Sequence, residues 1–141
     1  LGDVYKRQAF DPEEPVYYDQ VVPGDFYENP ESFNWIYSRH YYGCYNYGSL
    51  ETDIIFTITN ASGKNVSIEH LESGRELTLP DFSNAKVEID TGKKTIKVNG
   101  QNIVKGSNMK FFNLWPGQNG FVFKGEGVKG KVTSEWMHKF M

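Results

Sequence analysis

Cysteine is almost missing from this chain. Cys44 is the only one in 141 residues, so no internal disulfide and no cysteine-based zinc site can form, and a secreted disulfide scaffold is excluded. Long apolar runs are absent too, and no segment approaches the roughly 20 residues that a membrane-crossing helix needs. His40, His70 and His138 are the only histidines, and none stands at metal-ligand spacing from another histidine, a cysteine or a carboxylate, so neither a metal nor a cofactor is expected. There is no Gly-x-Ser-x-Gly elbow and no phosphate loop. Adjacent acids such as Glu13-Glu14 do not make a glycosidase pair, because what matters there is separation in space. The chain is therefore not expected to be an enzyme. Residues 10–38 contain no Lys or Arg but seven acids: Asp11, Glu13, Glu14, Asp19, Asp25, Glu28 and Glu31. Basic residues return from Arg39 onward, interspersed with acids instead of forming a stripe, which argues against nucleic-acid binding.

Aromatic residues make up 16% of the chain and glycines number 14, a balance that favours a β-rich protein over a helical bundle. The length suits one domain with a real core. Residues 1–8 contain Asp3-Val4-Tyr5-Lys6-Arg7-Gln8, which resembles the in-frame translation of a transposon end used to tag sequencing libraries. The natural chain is then expected to begin near Ala9 and to lack its amino-terminal part. Residues 9–33 hold Pro12, Pro15, Pro23 and Pro30 among acids and tyrosines, which excludes a long helix or a central strand and reads as an extended arm or linker.

Residues 34–141 read as one β-sandwich domain. Trp35, Tyr37, Arg39 and Tyr41 alternate with Ile36, Ser38, His40 and Tyr42, so the period of two puts them on opposite faces of a strand. Both faces are aromatic. Two readings follow: a strand buried by the aromatic arm, or a glycan or partner contact made by Trp35, Tyr37, Arg39, His40, Tyr41 and Tyr42, with rings to stack on sugars and polar groups for their hydroxyls. Ile54, Phe56 and Ile58 define a strand, Asn60-Ala61-Ser62-Gly63 a turn after it, and Leu77 and Leu79 a further inward-facing segment. Val128, Val132, Ser134 and Trp136 share one face of a last strand, with Gly125-Glu126-Gly127 read as the hairpin turn before it.

Residues 84–124 carry the clearest turn chemistry. Val87 and Ile89 pair in pattern with Ile96 and Val98 across Asp90-Thr91-Gly92-Lys93, where Asp90 can bond the backbone two residues on and Gly92 accepts positive φ. Asn99-Gly100 suits a two-residue type I′ turn. Trp115-Pro116-Gly117-Gln118 suits a type II turn between Phe111-Phe112 and Phe121-Val122-Phe123, with Asn119 bonding the loop backbone. Eight to ten short strands with turns every eight to twelve residues argue an all-β antiparallel sandwich or barrel.

The ordered series Ile89-Asp90, Val98-Asn99-Gly100, then Phe111, Leu114, Pro116, Gly117 and Asn119 resembles the carboxy-terminal domain of siphophage distal tail proteins. Upstream, Asn46-Tyr47-Gly48 and Asn60-x-x-Gly63 extend the likeness to roughly residues 40–140. This resemblance implies a galectin-like jelly-roll sandwich on the outside of a phage tail tip, in the distal tail or baseplate region of the virion. It also implies a missing amino-terminal domain that builds a ring, hexameric in the family, and partners among other tail and baseplate proteins. The galectin sugar motif is not reproduced, so a host cell-wall saccharide stays the alternative partner.

Overall fold

The computed structural model describes residues 26–27 and 31–141, with side chains described from residue 31 on. The expectations for residues 1–8 and for most of the arm fall outside these residues. The strands are β1 (Phe26–Tyr27), β2 (Glu31–Asn34), β3 (Arg39–Asn46), β4 (Ile54–His70), β5 (Arg75–Thr78), β6 (Phe82–Asp90), β7 (Thr95–Val98), β8 (Gln101–Asn102) and β9 (Gly117–His138). One 3-10 turn, Val104–Gly106, separates β8 from β9. Every ladder among the described residues is antiparallel, and the architecture is an all-β sandwich.

Two long strands organise it. β4 runs 17 residues and β9 runs 22, and they pair from Phe121↔His70 at one end to Trp136↔Ile54 at the other. Each contributes one half to either layer. The first layer is β2, the carboxy-terminal half of β9, the first half of β4, then β6, β7 and β8. The second is β3, the amino-terminal half of β9, the second half of β4, and β5. Apolar residues from both layers meet between them. Phe56 of the first stands edge-on to Phe121 and Phe123 of the second, with ring centroids 5.3 and 5.2 Å apart. With Trp35, Ile54, Ile58, Ile68, Leu77, Ile89, Ile96 and Leu114 they lie in a fully buried core. Each such side chain stabilises the fold by about 1.5–3 kcal/mol through removal from water.

The bends in β4 and β9 correct the turn assignments at residues 60–63 and 125–127. The register between the two strands shifts three times between Lys124 and Lys131 without interrupting the pairing. Asn60 and Asn65 bend β4 with φ of 52° and 51°, and Gly130 bends β9 at 146°. Turn residues thus serve as bulges here, because extra residues and positive φ twist a strand sharply enough to carry it from one layer to the next.

The hairpins of residues 84–102 form as the pattern requires. Asn99 and Gly100 both have positive φ, 51° and 85°, and Asn99 Oδ1 also accepts from Lys86 N at 2.9 Å. In the preceding turn Asp90 Oδ1 accepts from the backbone N–H groups of Gly92 and Lys93, each at 3.0 Å. The positive φ there belongs to Lys94, at 57°, and not to Gly92. What glycine supplies at 92 is room, since a Cβ would collide with the Asp53 carboxylate. Phe111 and Phe112 are buried but form no strand. They fill the core from a loop that is tied down by the Leu114–Thr52 bridge, with Leu114 N donating to Thr52 O at 2.8 Å and Thr52 N to Leu114 O at 3.0 Å.

Candidate functional site

β3 is bonded to β9 along one edge, and among the described residues no strand lies along its other edge. His40, Tyr42, Cys44 and Asn46 point inward, while Arg39, Tyr41 and Tyr45 point out, followed by Tyr47 just past the strand end. Tyr41 is 59% exposed. Its ring lies over two residues that lack side chains: a Cβ on Gly43 or on Gly120 would each come within 3.0 Å of it. Tyr45 and Tyr47 continue the row with ring centroids 4.7 Å apart. Leu71 is also exposed and approaches the same space over Gly120.

The strand before it does not continue in phase, which corrects the placement of Trp35 and Tyr37 on one face with Arg39 and Tyr41. Between β2 and β3 the chain crosses from the first layer to the second, and Trp35 N donates to Gly130 O and Gly125 N to Ser38 O at the bend of β9. Alternation is lost at that corner. Trp35 turns inward, fully buried, edge-on to Phe123 at 5.4 Å, with Nε1 donating to Tyr37 O at 2.9 Å. It is a core residue and can touch no ligand. Tyr37 remains at the surface, 62% exposed.

His40 and Tyr42 belong to the inner face. His40 stacks on Phe33 at 4.6 Å. Tyr42 stacks on Phe33 at 5.1 Å, and its hydroxyl reaches Ser134 Oγ at 2.6 Å and donates to Glu31 at 3.0 Å. Burial among these rings, opposed in part by the Ser134 bond, raises the Tyr42 pKa far above the ordinary tyrosine value. Of the six expected contact residues, three therefore reach the surface: Tyr37, Arg39 and Tyr41. Tyr45 and Tyr47 are the ones sequence reasoning passed over, though extending the same alternation past Tyr42 finds them.

The residues of the turn motif are structural. Asn119 is fully buried. Its Nδ2 donates to Trp115 O at 2.8 Å and Gly117 O at 3.0 Å, and its Oδ1 accepts from Trp115 N at 2.9 Å. With both Nδ2 protons directed at carbonyls, Oδ1 is an acceptor, so His70 Nε2, 2.8 Å away, must donate to it. Asn119 thus closes the Pro116-Gly117 turn, where Gly117 has φ of 89°, and fixes it to β4 through a buried histidine. Asn46 does the same at the end of β3, accepting from Gly48 N at 2.9 Å and donating to Leu50 O at 3.1 Å.

On the outer face of the second layer, Lys124 Nζ lies 3.0 Å from Glu69 and 3.5 Å from Glu76. Ser67 Oγ donates to Glu76 at 2.7 Å, and this bond, with Lys124 beside it, holds the Glu76 carboxyl below its usual range. The charged end of this face ends at Lys124 and Arg39, and the tyrosine row begins beyond it.

Such a molecule, a sandwich whose turn chemistry is spent on its own backbone and whose exposed tyrosines lie on a strand that is an edge among the described residues, has the form of a structural domain. Among the described residues no three His, Cys, Asp or Glu side chains are placed to hold a metal ion. The family model described as siphovirus-type tail component, C-terminal domain, matches residues 47–140. The chain belongs to this family, and its role is that of a structural component of a phage tail. No curated protein matches it.

Proposed function

We propose that this domain sits at the periphery of the tail tip, carried by a distal tail protein whose amino-terminal part builds a hexameric ring in the baseplate region, and that the outer face of β3 is its contact surface with neighbouring tail proteins. The observation that carries the reading is the row Tyr41, Tyr45 and Tyr47, exposed along and just past a strand that is an edge among the described residues. Tyrosines in such a row bury a large area on contact at low cost in side-chain entropy. The domain needs no cofactor and performs no reaction in this role.

Contact with a host cell-wall saccharide is the second reading, favoured by one feature: Tyr41 is held flat over Gly43 and Gly120, and a fixed, solvent-facing ring is what stacking on a sugar requires. A Tyr41→Ala/Tyr45→Ala double variant separates the two. Both side chains are exposed, Tyr41 by 59% and Tyr45 by 47%, so the fold is expected to survive. In phage carrying the variant, loss of the protein from assembled tails supports the protein contact. Normal tails that no longer bind host cell walls support the saccharide. Normal tails with normal adsorption overturn both.

A further inference from the structure

At the end of the sandwich near Asn46, four connections converge on an open cleft of about 260 Å³ lined by Glu51, Ser73, Arg75, Lys94, Asn113 and Trp115 over a floor of Phe111 and Phe112. Its frame is fixed. Arg75 Nε donates to Phe111 O, Leu114 is bridged to Thr52, and Thr91, next to the Lys94 turn, is buried with Oγ1 donating to Ile54 O at 2.8 Å. Asn119 holds Trp115 by both its N–H and its carbonyl. Along this loop the side chains divide by role: Phe111, Phe112 and Leu114 are buried, while Asn113 and Trp115 face out.

The chemistry of the rim is uneven. The Arg75 guanidinium uses only Nε, and among the described residues its terminal amino groups have no partner. The Lys94 ammonium makes one long contact, to Thr91 O at 3.5 Å. Against these two cations stands one carboxylate, Glu51, which already accepts from Asn113 at 3.3 Å. Trp115 is 38% exposed and braced edge-on against His70 at 5.7 Å. Trp and Arg held rigidly side by side are the residue types that dominate binding energy at protein interfaces.

We propose that this cleft, separate from the β3 face, binds an acidic, aromatic-bearing peptide segment of a neighbouring tail protein, with a carboxylate on Arg75 and Lys94 and an apolar side chain against Trp115. Charge complementarity selects the acidic partner, and the size of the cleft admits a short segment, not a domain surface. The chain's own residues 10–19 have this chemistry, with Asp11, Glu13, Glu14 and Asp19 beside Phe10, Tyr17 and Tyr18 and no basic residue. They supply the probe.

A fluorescently labelled peptide of residues 10–19 is titrated at low salt into the full chain whose own Asp11, Glu13, Glu14 and Asp19 are changed to the amides, so that the tethered copy does not compete, and is followed by anisotropy. Saturable binding is expected, weakened roughly tenfold or more by Trp115→Ala or Arg75→Glu, as at other interface hot spots, and weakened by added salt. Because Arg75 also ties down Phe111, the exposed Lys94→Glu is run in parallel and must weaken binding as well while leaving the melting temperature unchanged. No binding, equal binding of a peptide with its acids changed to amides, or no effect of Lys94→Glu overturns the proposal. So does saturable binding of glucose 6-phosphate that excludes the peptide, since the site then serves a phosphorylated saccharide.

Discussion

Replacing Asn119 by alanine removes one carboxamide and takes its hydrogen bond from four polar groups, the buried Nε2 of His70 and the partly buried N–H and carbonyl of Trp115 and carbonyl of Gly117. An unsatisfied buried group costs about 1–3 kcal/mol. The vacated space is polar and large enough for a water to restore two of the bonds, so the expected loss is about 3–4 kcal/mol rather than four full penalties. For a domain of this size that lowers the melting temperature by about 10–15 °C. Gly117→Val, by contrast, meets no atom within 4 Å of its new Cβ and suffers only the backbone strain of a β-branched residue at positive φ, about 1–3 kcal/mol. Sequence alone ranks these two the other way, with the glycine dominant. Thermal melts and urea titrations of both variants decide the order. Asn119→Asp adds a test of direction: it keeps the acceptor for Trp115 N but sets an oxygen against two carbonyls, and is expected to cost at least as much as alanine. If Asn119→Ala and Asn119→Asp both melt within about 2 °C of the parent, the carboxamide does not hold the loop and the reasoning fails.

Trp35→Ala should cost about 3–5 kcal/mol as a large-to-small core change, while Tyr37→Ala, two residues on and exposed, should stay within about 0.5 kcal/mol; chemical denaturation compares them, and equal losses would deny the inward turn of Trp35. In Gly48→Ala the new methyl meets the Lys139 backbone, which cannot swing aside as a side chain would, so a loss of about 1–3 kcal/mol is expected from the denaturation midpoint. Tyr42→Phe removes the bonds to Ser134 and Glu31 and should cost about 1 kcal/mol at neutral pH. Because burial raises the Tyr42 pKa in the folded state, its stability contribution is complete below the unfolded value near 10 and declines as pH rises above it. The parent therefore loses its advantage over Tyr42→Phe only as pH rises above about 10, and melts taken from there upward should converge; parallel curves would contradict the assignment.

Local chemistry was enough to fix the hairpins and the inward faces. The alternation of Val87, Ile89, Ile96 and Val98, the Asn99-Gly100 turn and the glycine at 117 each depend on the φ, ψ preferences and side-chain period of a few neighbouring residues, and these are written directly in the chain. The ordered loop series was also legible, and with it the family. What the sequence could not express is where β4 and β9 bend. Asn60-Ala61-Ser62-Gly63 and Gly125-Glu126-Gly127 have the composition of turns, and only pairing between two strands distant in sequence makes them bulges that carry one ladder through both layers. That corner, in turn, breaks the phase between Trp35 and Arg39, sends the tryptophan into the core and leaves the tyrosines of β3 outside. The cleft at Trp115 was hidden for the same reason: Glu51, Lys94 and Trp115 come from three separate connections and Arg75 from the start of β5, and a site assembled this way has no period or spacing in the chain, only a place in the fold.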